Sequence, residues 1–160
     1  MIPLLLEALK KRLAAGLGDL ALVRQCKDGD KAGPPHIWIG DLPPKRSKED
    51  WSALPGVILV PLSGHLGDEG GEAEVALICV VYNPEDGDGT GAEYDLGHLL
   101  SRITRLLLEA LETKGCPLDD RFILLPDKSG KVLPWQKSEQ QPKPFMQATM
   151  VSTWKYKGWE

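Results

Sequence analysis

Hydrophobic and polar positions alternate along this chain in a few distinct patterns, and the clearest lies at its centre. Val75-Ala76-Leu77-Ile78-Cys79-Val80-Val81-Tyr82 is an unbroken apolar run, rich in β-branched residues and free of Pro and Gly. That length and composition predict a central strand buried on both faces. A Gly/Asp loop from Asn83 to Gly91 follows, and then Leu96, Leu99, Leu100, Ile103, Leu106, Leu107 and Leu111 recur at three- and four-residue steps. This predicts a long amphipathic helix, with Glu93 and Asp95 in its first turn, Lys114 near its end, and Gly115 and Pro117 as its stop.

The same reading extends to both sides. Leu5, Leu6, Leu9 and Leu13 predict a first helix over Pro3 to Ala15, stopped by Gly16. Leu20 to Gln25 reads as a strand, Lys27 to Pro35 as a polar turn, and His36 to Ile39 as a short edge strand. Asp41 to Pro55, with Pro43-Pro44 and Trp51, reads as an irregular excursion. Val57 to Leu62 predicts a strand that Pro61 ends early or places at an edge. Gly64 to Gly71 reads as a glycine-rich acidic loop, making this strand and the central one a long antiparallel hairpin. Beyond the long helix, Arg121 to Leu125 predicts a strand, Asp127 to Lys131 a turn, Val132 to Trp135 a peripheral segment, and Gln136 to Pro144 a polar arm. Phe145 to Tyr156 predicts a long closing strand. Met146, Ala148, Met150, Trp154 and Tyr156 fall on one side of it, and Gln147, Thr149, Thr153 and Lys155 on the wetter side. Helices and strands mix without a βαβ rhythm. The expected fold is therefore α+β, a single domain over 1–160 with a mainly antiparallel mixed sheet and two helices packed on one face.

Composition narrows the function classes. The chain has 160 residues, 42% hydrophobic and 26% charged, as expected for a soluble domain with its own core. A net charge of −4 argues against specific nucleic-acid binding. Cys26, Cys79 and Cys116 are widely spaced and odd in number, which fits reduced thiols of a cytoplasmic protein better than a disulfide framework or a zinc site. No stretch is apolar enough to cross a membrane. Glu7, Lys10, Lys11 and Arg12 interrupt the N-terminal apolar run, so it reads as a helix rather than a signal sequence.

Candidate chemistry is sparse. Gly87-Asp88-Gly89-Thr90-Gly91 lies where a dinucleotide fingerprint would lie, but its spacing is G-x-G-x-G, and Asp86, Asp88 and Glu93 would repel a pyrophosphate. Read as a calcium loop from Asp86, its twelfth position is Gly97, which supplies no carboxylate. Asp86 and Asp88 remain weak metal candidates, and turn chemistry explains the loop without a metal. His36, His65 and His98 form no metal-binding spacing, and no G-x-S-x-G elbow is present. The expectation is no cofactor and no catalysis. Trp51, Trp135 and Trp159 stand in loop-like or terminal stretches, where aromatics either anchor protein contacts or cover satellite cores, whereas Trp154 reads as core.

The order of elements carries a resemblance. It runs from an N-terminal helix through Leu54-Pro55-Gly56-Val57-Ile58-Leu59-Val60 and the strand Val75 to Tyr82 to an acidic loop. Then come the helix Tyr94-Asp95-Leu96-Gly97-His98-Leu99-Leu100-Ser101-Arg102-Ile103 and Gln141-Pro142-Lys143-Pro144-Phe145, leading into a strand with Trp154. From about Leu54 to Trp159 this resembles the tail-terminator (tail-completion) proteins of tailed bacteriophages and prophages, and related neck proteins. The resemblance implies a hexameric ring that caps the tail tube, ends its polymerisation and offers a surface to the head-completion or neck protein. It also implies a location in the virion and, during assembly, in the host cytoplasm. Its partners would be copies of itself and the tail tube protein, with DNA passing through unbound. Trp51, Trp135, Pro142, Pro144, Phe145 and Trp159 become interface candidates, because a ring closes through two unlike patches. Asp68, Glu69, Glu72, Glu85, Asp86 and Asp88 become channel-facing candidates, where negative charge would avoid trapping DNA. A neck protein of similar build is the alternative, and a small metal-dependent enzyme a more distant one.

Overall fold

A computed structural model describes residues 1–25, 31–45, 47, 50, 52–67, 70–83, 90–139 and 145–156. Helix α1 spans Ile2–Gly16, and strands β1 (Leu22–Arg24), β2 (Lys31–Gly33) and β3 (His36–Ile39) follow. Next come β4 (Gly56–Gly67), β5 (Gly70–Tyr82) and helix α2 (Thr90–Leu108). The remaining strands are β6 (Phe122–Leu125), β7 (Trp135–Lys137) and β8 (Phe145–Tyr156). The main sheet runs β3-β4-β5-β8-β6. β7 lies beside β8 on the same flank as β6, so these two short strands share that flank end to end. Among the described strands only β3 and β4 pair in parallel. The fold is α+β, with a mostly antiparallel mixed sheet.

The central pair is β5 and β8, in register without a slip from Gly71↔Tyr156 to Tyr82↔Phe145. Odd-numbered residues of β5, among them Val75, Leu77, Cys79 and Val81, meet Leu5, Leu9 and Leu13 of α1 and Leu96, Leu99 and Ile103 of α2 in one core. Both helices therefore lie on one face of the sheet. Gly16 makes the crossing of the helices close, since a side chain there would run into Leu106. The opposite face carries a second cluster of Leu54, Val80 and Tyr82, joined by Val23, Leu42, Ile78 and Phe145. The irregular segment before β4 thus contributes a core residue, Leu54, which precedes a cis proline.

Buried polar groups are tied into the same central pair. Ser152, fully buried, donates its hydroxyl to the Val75 carbonyl at 2.8 Å and accepts the Trp154 indole N–H at 2.8 Å. Each group thereby replaces the water that it lost.

Several expectations are corrected. The polar turn after β1 contains a strand, β2, because backbone pairing with Leu22–Arg24 overrides weak local preference. Pro61 does not end β4. The strand runs on to Gly67, and the expected glycine-rich loop is mostly ladder, with a one-residue shift between Pro61 and Ser63 absorbing the proline. Helix α2 stops at Leu108 rather than near Lys114, because the Ala110 carbonyl accepts the Leu124 N–H from β6 and Leu111 forms a bridge with Leu124. A 3-10 turn at Glu112–Lys114 follows, closed by Gly115 at φ 72°. The expected polar arm begins as β7, paired with β8. Leu133, read as peripheral, is buried in the main core despite a left-handed φ of 51°. The Asp127 turn forms as expected, its carboxylate accepting from Ser129 and Lys131.

Replacing Ser152 with alanine strands the Trp154 N–H in the core and is expected to cost about 1–3 kcal/mol. A shift of the urea midpoint at unchanged m-value checks this.

Candidate interaction surfaces

Of the site residues singled out in the sequence, the structure describes Trp135, Phe145 and Glu72, and it does not bring them together. Trp135 opens β7 opposite Met150 of β8 and is 52% exposed. Phe145 begins β8, half-buried, with its ring 5.4 Å from Tyr82 over the second cluster. Their β8 positions are five residues apart, roughly 17 Å along a strand, so the two do not form one patch. Phe145 is chiefly packing. Glu72 is exposed on β5, with His65 Nε2 4.0 Å from its carboxylate and Lys155 opposite it on β8. Its surroundings are therefore mixed in charge rather than uniformly acidic. Trp51, Asp68, Glu69, Glu85, Asp86, Asp88, Pro142, Pro144 and Trp159 lie outside the described residues. Among the described residues no group of three or more His, Cys, Asp or Glu side chains could hold a metal ion, and no helix is long and apolar enough to cross a membrane.

Trp135 stands at the wall of an open groove of about 820 Å³ along the outer side of α2. The sequence places small side chains there at helical spacing. Gly97, Ser101 and Thr104 leave the helix surface low, while Leu100 and Leu108 give it an apolar floor. Arg105, Glu109 and Lys114 rim it, and Cys116 closes one end. An apolar floor, one large aromatic and a charged rim match the anatomy of a protein contact. The Lys137–Glu93 ion pair links β7, which carries Trp135, to the start of α2. A second groove of about 700 Å³ runs along the outer face of α1, with Leu4, Ala8 and Lys11 facing Leu118 and Asp119. The helices that carry these grooves are bridged by Arg12–Glu109 and by Arg102–Asp19 at 2.8 Å. In each pair the carboxylate is well exposed and the arginine partly covered, so solvent screening limits each to about 0–1 kcal/mol.

Sequence reading passed over the outer part of the β4–β5 hairpin. Leu62 and Leu66 are 53% and 68% exposed, two residues to either side of Gly64. The available signal was their even spacing within a strand, which the glycine-rich loop reading concealed.

Three groups among the described residues have perturbed protonation: Cys79, His36 and Asp127, whose carboxyl is held below its ordinary value by hydrogen bonds from Ser129 and Lys131. Burial pushes the Cys79 thiol up to about 12. His36, packed on Trp38 with ring centroids 5.3 Å apart, has its pKa lowered by burial and then by the Arg24 charge. A water-soluble thiol reagent at pH 8 is expected to label Cys116 in the folded protein, and Cys79 only after unfolding, as read by peptide mapping. For His36 the unfolded chain binds the proton more tightly than the folded one. Stability is therefore full above pH 6.5 and falls as pH drops below it toward the lowered folded value. His36→Gln should flatten the dependence of the urea midpoint between about pH 7 and 5.5.

A scan against protein-family models finds none that matches this chain, and a search of curated proteins finds no significant match.

Proposed function

We propose that this chain is a structural component of tailed-phage or prophage virions. Its copies form a ring that caps the tail tube, ends tube polymerisation and joins the head connector. The order of elements that resembles tail-terminator proteins supports this reading, and the observation that carries it is the half-exposed Trp135 beside the apolar groove on α2. A closed ring needs two unlike patches on every subunit. The groove at Trp135 is one, and the outer face of α1 with exposed Leu4 is a second of different shape and charge. Such a contact works by shape and burial and requires no reacting group.

The test is native mass spectrometry and electron microscopy of the purified chain, alone and with purified tail tubes. Six-copy rings, or density at one end of the tubes, are expected. Trp135→Ala should retain its far-UV circular dichroism yet weaken ring formation or capping by about tenfold or more, the scale of an aromatic hot spot. A chain that neither forms rings nor binds tube ends would overturn the proposal. Binding to the head connector in place of tube ends would favour a neck protein.

A further inference from the structure

The outer half of β4 is an open sheet edge. β5 pairs with it as far as Gly67, but among the described residues its other side is paired only by β3 over Gly56 to Leu59 and by the Gly40 N–H to the Leu59 carbonyl. Past that point Pro61 to Leu66 are all exposed. Edges of soluble proteins usually carry charge, especially lysine, against strand addition. Leu62-Ser63-Gly64-His65-Leu66 carries none apart from a histidine. Pro61 protects only the inner end.

The backbone direction of this edge follows from the register. The Pro55 and Leu59 carbonyls accept bonds from the β3 side, so odd-numbered residues of inner β4 aim their N–H and C=O groups outward. The one-residue shift between Pro61 and Ser63 reverses that parity, while β5 stays in uniform register with β8. Gly64 and Leu66 therefore point their backbone groups into the open flank. Their side-chain positions fall on the helix side, since a Cβ at Gly64 would stand 3.4 Å from Ile2 Cδ1. Leu66 and Met1 also close together over Gly71.

We propose that this edge pairs with the same edge of a second copy, antiparallel, about a two-fold axis at Gly64. The segment is near-symmetric in character about that glycine. Laid against itself, Leu62 meets Leu66 of the second copy, Ser63 meets His65, and Gly64 meets Gly64. The outward-facing backbone groups of Gly64 then face each other as a hydrogen-bonded pair, and two leucine pairs form on the side already lined by Met1 and Ile2. A neutral segment also lets two chains of net charge −4 approach without like charges at the seam. A strange strand would find the same backbone groups, but only a second copy matches both leucines at once. The contact is small, so the dimer should be of micromolar strength. It is isologous and does not rest on the ring, which needs unlike patches.

The experiment uses the full chain with Cys26 and Cys116 replaced by serine, bearing either Leu62→Cys or Leu66→Cys. Under mild oxidation the two variants mixed should give several-fold more disulfide-linked dimer than either alone. In sedimentation, the unmodified chain should dimerise in the tens of micromolar, and Leu66→Lys should raise the dissociation constant at least about tenfold at an unchanged unfolding midpoint. A monomer throughout that range, with no preference for the mixed disulfide, overturns the pairing. So does a dimer that Leu66→Lys leaves intact, or capture of a foreign strand with no self-association. Dimers without rings would refute the ring reading and leave this contact standing; rings with an exposed β4 edge would do the reverse.

Discussion

The rest of the structure depends on the pairing of β5 with β8. These strands are in continuous register over the length of β8, and their helix-side residues form the floor on which both helices lie. A ladder of that length supplies the backbone partners that a doubly covered strand cannot obtain from water. The Ser152 hydroxyl between the Val75 carbonyl and the Trp154 indole adds a buried side-chain link across the same pair. With this pair formed, β4 and β6 have fixed sites on either side, and each helix has one apolar stripe to bury.

This arrangement also distributes exposure. The helices cover one face and the second cluster covers part of the other. Among the described residues three regions of apolar surface stand out, the groove under Trp135, the outer face of α1 and the outer edge of β4, with Tyr94 exposed separately on α2. All three are shallow and open, suited to receiving a large partner rather than enclosing a small one.

Much of the fold was legible because long periodic segments carry their own signal. The run from Val75 to Tyr82, the leucine stripe of α2 and the alternation from Phe145 to Tyr156 each match an observed element closely. What was not legible depends on partners distant in sequence. Lys31 to Gly33 and Trp135 to Lys137 have no strand pattern of their own and become strands because β1 and β8 offer free ladder positions. The residues at the end of α2 favour more helix, and the Leu124 amide diverts them. Gly64, His65 and Gly67 resemble a loop only until β5 is laid beside them. Of the interface candidates, Trp135 could be read from its neighbours as exposed. Phe145 could not be distinguished from a surface aromatic, because the Tyr82 ring that shelters it is far away in the chain.

The position of β8 in the order of the chain has its own consequence. Every strand flanking it, β5 on one side and β6 and β7 on the other, precedes it. The Ser152–Val75 bond alone closes a separation of 77 residues. Loop-closure entropy must be met before any of those contacts returns free energy, so folding should be slow for a domain of this size, in milliseconds to seconds. Until β8 inserts, β5 has one bare flank and the two helices rest on an incomplete floor. The chain would thus mature in a single late step, and the grooves and the sheet edge would take their final outline only once β8 is in place.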